Sequence, residues 1–105
     1  MKTIILKTLE SPPDNFTGIA IYNLNKSIER TVYCLNGLDH REDGPAIVYK
    51  HTKCLEYRQF GKTHRIGGPA YILNDIEKYF IDGKEVDKEA HDLLYNLMTL
   101  KGMIK

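Results

Sequence analysis

Apolar and polar positions alternate with period two through most of this chain, interrupted at glycines, and change to three-and-four spacing only in the C-terminal segment. The β-rich segments Ile19–Tyr22, Ile47–Tyr49 and Tyr71–Leu73 each run into a polar stretch, at 23–27, 50–53 and 74–76. A second segment rich in Tyr, Phe, Val and Leu follows each and closes at Gly37, Gly61 or Gly83. Strand, turn, strand is the expected reading of each such unit. Within the second strands, Thr31, Tyr33 and Leu35 share a face and align with Leu55, Tyr57 and Gln59 and with Glu77, Tyr79 and Ile81. The tyrosine row is expected to line the buried face. On the first strands Ala20 and Tyr22, Ala46 and Val48, and Ala70 and Ile72 set a small residue beside a larger one, which lets neighbouring strands interlock.

Laid on itself, the chain shows an internal repeat. The segment from Asn36 to Ala46 reads Asn-Gly-Leu-Asp-His-Arg-Glu-Asp-Gly-Pro-Ala, and 24 residues later Phe60 to Ala70 reads Phe-Gly-Lys-Thr-His-Arg-Ile-Gly-Gly-Pro-Ala. Both glycines, His, Arg, Pro and Ala coincide. Tyr33, Tyr57 and Tyr79 each stand four residues before a closing glycine, so the unit occurs three times. The gap between opening and closing glycines falls from 19 residues (Gly18 to Gly37) to 17 (Gly44 to Gly61) to 15 (Gly68 to Gly83). That slack lies in the polar middle, where hairpin loops tolerate length changes.

The ends depart from the pattern, as terminal repeats do. Asp14-Asn15-Phe16-Thr17 stands where His-Arg-x-x would be, and Ile19 replaces the proline. After Gly83 a helix is expected: Asp87 as N-cap, Glu89 in the first turn, Ala90, Leu93, Leu94, Leu97 and Met98 as an apolar face, and Gly102 as the stop. Such a face laid over the sheet or across its last strand would close a sticky edge. Thr3–Leu9 is placed at the other edge, ended by Pro12-Pro13. The expected fold is therefore mainly β with one C-terminal α-helix. One domain spans 1–105: an N-terminal edge strand and loop (1–13), an antiparallel sheet of three repeated β-hairpins (18–86) and an amphipathic capping helix (87–101).

Composition narrows the function classes. A chain of 105 residues, 42% hydrophobic and 28% charged, fits one ordinary globular core. Fifteen basic against fourteen acidic residues leave a net charge of +1, so no global field draws nucleic acid or an anionic membrane. The apolar stretch near Met1 is broken by Lys7, too short for a signal peptide or a spanning helix, which gives a cytoplasmic expectation with no membrane role. Cys34 and Cys54 fit neither a disulfide framework nor a paired metal knuckle and are expected to be free thiols.

The connectors carry the candidate chemistry. In Gly-Pro-Ala, Gly44 and Gly68 are expected to take positive φ, and Pro45 and Pro69 to begin a strand where no ladder donor is needed. Nothing about a turn requires His-Arg. One reading is structural: Arg41 and Arg65 pair with carboxylates such as Asp39 and Asp43 or stack on aromatic rings of the next unit, while His40 and His64 bond turn carbonyls. The other makes His40, Arg41, His64 and Arg65, with Arg58 and Lys62 nearby, a row of donors for a phosphate, a nucleic-acid backbone or an acidic partner surface. Equivalent positions in successive hairpins lie about 10 Å apart, too far for His40 and His64 to share one metal ion, and no cofactor motif is found. Nucleophile elbows, phosphate loops and His-Glu-x-x-His are missing from the sequence, so no catalytic residue is assigned and a non-enzymatic role is expected.

From about Gly18 to Val86 the chain resembles the MORN-like repeat variants that read Asn-Gly-x-x-His-Arg-x-Asp-Gly-Pro-Ala, found in bacteriophage, large-DNA-virus and bacterial antitoxin proteins. The two central connectors match, although Gly67 stands where Asp is usual, and Asp82-Gly83-Lys84 before a charged helix looks like the ending of such phage proteins. The resemblance implies an array of hairpins, a bacterial host cytoplasm and function by binding. The leading expectation is a phage-type or antitoxin-type protein that binds and inhibits a bacterial toxin or antiviral-defence protein. The alternatives are a nucleic-acid or nucleotide binder using the His-Arg row, and a structural or virion-associated module that self-assembles, for example as a homodimer through exposed strand edges.

Overall fold

Each glycine that closes a repeat forms a two-residue turn with the residue before it, and both take left-handed backbone: Asn36 and Gly37 (φ 50° and 78°), Phe60 and Gly61 (50° and 80°), Asp82 and Gly83 (50° and 83°). Two successive positive φ values give the hairpin turn whose twist matches its strands. The chain therefore folds straight back, adding a short return strand to each unit.

The computed structural model describes residues 1–103. It begins with β1 (Lys2–Leu6). The first unit holds β2 (Gly18–Tyr22), β3 (Arg30–Leu35) and β4 (Leu38–Asp39). The second holds β5 (Ile47–Tyr49), β6 (Cys54–Glu56), β7 (Arg58–Gln59) and β8 (Lys62–Thr63), and the third β9 (Tyr71–Leu73), β10 (Ile76–Ile81) and β11 (Lys84–Val86). Helix α1 (Lys88–Leu100) ends the chain. The protein is thus mainly β with one C-terminal helix, as expected. The main sheet runs β1-β2-β3-β5-β6-β9-β10-β11, β4 folds onto β3, and β7 and β8 make a separate ribbon. A Cα radius of gyration of 14.8 Å exceeds the roughly 13 Å of a compact chain this long, so the array is drawn out.

All ladders are antiparallel except one. β1 lies at the sheet edge as expected but runs parallel to β2, with Ile4 opposite Ala20. Parallel neighbours need a crossover rather than a tight turn, and the segment between Leu6 and Gly18 supplies it. The strand also stops before Thr8, because Lys7 starts a turn: its carbonyl accepts from the Glu10 amide and its own amide donates to the Glu10 carboxylate (3.0 and 2.6 Å).

The buried face is the opposite of the one expected. Val32 and Cys34 are 2% and 5% exposed, whereas Tyr33, Tyr57 and Tyr79 are only half-buried. Ladder partners carry the inner row from Ile4 through Ala20 and Val32 to Ile47. Phe16, Tyr22, Cys34 and Ala46 complete the core around it. Period two states which residues share a face, not which face turns inward. Here arginines cover Tyr33 and Tyr57 and a helix histidine covers Tyr79, which leaves the smaller Val, Cys and Ala positions to pack together.

Helix α1 is capped as the sequence suggests. Asp87 accepts from the Ala90 amide (2.8 Å), and Gly102 (φ 70°) closes the C-terminus with amide bonds from Gly102 to Thr99 and from Met103 to Met98. Its packing face differs from the expected one. His91 is buried and Leu94, Tyr95 and Met98 are half-buried, whereas Ala90, Leu93 and Leu97 are exposed. The helix packs chiefly on β10, and the rotation follows from His91 being drawn to the last connector. Among the described residues no helix is long and apolar enough to cross a membrane.

Candidate functional site

The connector row is built from tyrosine upward. Tyr33 and Tyr57 are fixed by two backbone bonds each: their amides donate to Ala46 and Ala70 (2.8 and 2.7 Å), and their carbonyls accept from His40 and His64 (2.9 and 3.0 Å). Over each ring lies the arginine eight residues on, so each connector arginine stacks on the unit before it and not on the next unit as expected. The Arg41 guanidinium carbon is 4.0 Å from the Tyr33 centroid and that of Arg65 is 3.9 Å from Tyr57. Each guanidinium also donates through Nη1 to a proline carbonyl, Arg41 to Pro45 (3.3 Å) and Arg65 to Pro69 (3.1 Å).

Gly44 and Gly68 have a different purpose from the one expected, because neither has positive φ. A Cβ on Gly44 would come within 3.0 Å of the Arg41 guanidinium carbon, and one on Gly68 within 2.8 Å of that of Arg65. Glycine leaves room there for the arginine that crosses the backbone, and a side chain would have to displace it. Connector and tyrosine are thus one device: a guanidinium clamped between a ring and a glycine.

The histidines also differ from expectation, accepting from amides rather than bonding turn carbonyls. His40 Nδ1 takes the Phe60 N–H and His64 Nδ1 the Asp82 N–H, both at 3.0 Å. These amides belong to the first left-handed residue of the next unit's turn, so each histidine fixes the turn beside it. The His40 ring further packs on Phe60, with centroids 4.3 Å apart. With Nδ1 accepting, the neutral ring carries its proton on Nε2, which remains as a donor.

The terminal units fill the same roles by other means. Phe16 stands in for the missing arginine, its ring tip 3.0 Å from where a Gly18 Cβ would be. At the far end, Tyr79 is covered by His91 of α1 (centroids 4.8 Å apart), whose Nε2 accepts from the Gly67 amide (3.1 Å). The helix therefore supplies the ring contact that the connector arginine supplies to the first two tyrosines.

Of the six candidate residues, the structure gathers three. Arg41, His64 and Arg65 line a cleft of ≈340 Å³ between the two central connectors, with Glu42, Asp43 and Gln59 on its walls. His40 opens instead on a neighbouring cleft beside Tyr33 and Met1. Arg58 is spent on the fold, held by Glu56 (3.0 Å), the Gly61 carbonyl (3.3 Å) and Asp39 (3.9 Å). Burial raises the Asp39 carboxyl above the usual range while Arg58 draws it back. Lys62 is exposed and runs along the Gly83 turn, away from the cleft. The residues missed by sequence reading are Tyr33 and Tyr57 as platforms, Gly44 and Gly68 as crossing points, and His91. Their signal was the fixed eight-residue step from Tyr to Arg and a lone histidine on an otherwise apolar helix face.

Charges in the cleft are mixed. Asp43 pairs with Arg41 at 3.0 Å and Glu42 lies 3.7 Å from His40 Nε2. Both cysteines are free and buried. Burial pushes the Cys34 thiol up to about 11 and also raises Cys54, which keeps both protonated near neutral pH. No protein-family model, curated protein or solved structure matches the chain.

Proposed function

We propose that this chain is a small non-enzymatic binding protein of the MORN-like repeat type, which recognises and inhibits a bacterial toxin or antiviral-defence protein in a bacterial host cytoplasm. The observation that carries this reading is the clamped connector row. Each arginine and histidine is fixed by ring, carbonyl or amide contacts before any ligand arrives, so the surface loses little side-chain entropy on binding. The row mixes cations with Glu42 and Asp43 in one cleft, which suits a protein surface of alternating charge better than a phosphate backbone. The nucleic-acid alternative is further weakened by the carboxylates already on Arg41 and Arg58. Self-assembly through strand edges is the remaining alternative, and a concentration-independent monomer mass would remove it.

The test is capture of a stoichiometric partner by the tagged full chain in its host, together with neutralisation of that partner's toxicity or defence activity. The double variant Glu42→Lys, Gln59→Ala alters the cleft wall but leaves both arginine clamps. It should lose capture and neutralisation together. Wild-type protein that retains no partner and neutralises nothing, or capture abolished by nuclease, would overturn the reading.

A further inference from the structure

The two central connectors are internal copies, and the first shows what the second lacks. In the first, the arginine's outward donor meets a carboxylate, Arg41 Nε to Asp43 Oδ1 at 3.0 Å, and a second carboxylate lies near the histidine, with Glu42 Oε1 3.7 Å from His40 Nε2 and beyond hydrogen-bond reach. In the second, the corresponding residues are Ile66 and Gly67. The clamp is otherwise the same, with Arg65 over Tyr57 and bonded to Pro69, and His64 Nδ1 occupied by the Asp82 amide. Among the described residues the one carboxylate paired with His64 is that of Asp82, 3.6 Å away on the Nδ1 side. Among the described residues Arg65 has no ion pair. Arg65 Nε–H is thus left on the wall of the ≈340 Å³ cleft without the acceptor its copy has, with His64 beside it on the same wall and no counterpart of Glu42 near its Nε2.

We propose that Arg65, with His64 beside it on the cleft wall, is a receptor for one carboxylate, supplied by an Asp or Glu side chain of a protein partner. This rests on the protein-binding reading above and names the partner group that the site takes. The ligand class comes from the chain itself, because Asp43 already occupies the equivalent place on Arg41. Charge favours a monoanion over phosphate: Glu42 and Asp43, 82% and 86% exposed, rim the same cleft and would repel a second negative charge. The chain does not fill the place itself, because residue 67 is held at φ 103° with its amide on His91, a backbone that suits glycine. A planar guanidinium with a free Nε–H and a neighbouring N–H is suited to a carboxylate.

The experiment follows the arginine Nε–H signals of full-length protein by nitrogen-15 NMR. N-acetyl-glutamate methylamide, its glutamine counterpart and inorganic phosphate are titrated separately at constant ionic strength. The glutamate compound should shift Arg65 Nε–H and the His64 ring saturably, with a midpoint on the order of 10 mM for so small a ligand, while Arg41 stays still. Glu42→Gln with Asp43→Asn, both at exposed sites, should give Arg41 the same response. The proposal is overturned if Arg65 is silent at ten times that concentration, if the glutamine compound acts equally, or if phosphate acts at lower concentration and so marks a nucleic-acid site. Arg65→Lys keeps the charge and removes the fork, and should weaken partner capture at least tenfold. Capture that survives Arg65→Lys but is lost in Glu42→Lys, Gln59→Ala sinks the receptor and spares the binding function. A responding Arg65 in a chain that captures nothing does the reverse.

Discussion

Replacing Gly68 by alanine tests whether glycine is there for its backbone or for the arginine that crosses it. Gly68 lacks positive φ, so alanine brings no backbone strain, yet its Cβ would sit 2.8 Å from the Arg65 guanidinium carbon and Nη1. The guanidinium must move off the ring or off the Pro69 carbonyl, which pin it from two sides. Losing the stacking on Tyr57 costs about 0.5–2 kcal/mol, and losing the charged bond to Pro69 roughly 1.5–3 kcal/mol, partly regained in water. A net cost of about 2 kcal/mol lowers the melting temperature by on the order of 10 °C for a domain this size. With Arg65→Ala already made there is nothing to displace. The same Gly68→Ala change should then stabilise by about 0.4–1 kcal/mol through the less flexible unfolded chain. The coupling between the sites is therefore about 2–3 kcal/mol, with a change of sign. Urea unfolding followed by far-UV circular dichroism measures all four proteins, and the absence of tryptophan makes backbone dichroism the natural probe. An equal cost of Gly68→Ala in both backgrounds would refute the clamp.

Gly37→Ala is the contrasting case, since its Cβ would meet the Asp14 carbonyl oxygen at 2.6 Å and its φ is 78°. It should cost more than about 2 kcal/mol by chemical denaturation, and no side-chain deletion should rescue it. His91→Phe keeps a ring against Tyr79 but removes the acceptor for the Gly67 amide. Stability should fall by about 1 kcal/mol and the Gly67 amide should exchange faster, so unchanged protection would contradict the assigned bond. Cys34 ionises near pH 11 in the folded protein and near 9 when exposed. Its raised value stabilises the fold fully below pH 9, and on the order of 2–3 kcal/mol is lost between pH 9 and 11. Cys34→Ser should flatten that part of the stability profile, and the wild-type thiol should resist alkylation at pH 8. Glu29 is buried with its carboxylate on the Asn25 amide at 2.9 Å. Glu29→Ala should therefore destabilise by about 2 kcal/mol in urea melts, with the largest chemical-shift changes in the 23–29 turn.

The sequence by itself determined the repeat, the β class, the places of the first strands, the N-cap at Asp87 and the stop at Gly102. All of these are local: period two, turn glycines and capping side chains act over a few residues. The Asn-Gly and Asp-Gly pairs also signalled the return strands β4 and β11, a hairpin cue that reading the glycine as a terminus hides. What the sequence left open was decided by contacts between units. Alternation cannot say which face of a strand is inside, and the inward turn of Val32 and Cys34 depended on arginines eight residues after the tyrosines they cover. Three-and-four spacing in α1 allowed Leu93 and Leu97 to pack, but His91 had a tyrosine and an amide waiting in the last unit, and the helix turned to meet them. His-Arg is built into the fold in both connectors through rings, carbonyls and turn amides that only the folded chain brings to it. The tertiary structure also sets the two connectors side by side on one cleft, where Ile66 and Gly67 stand in the places of Glu42 and Asp43.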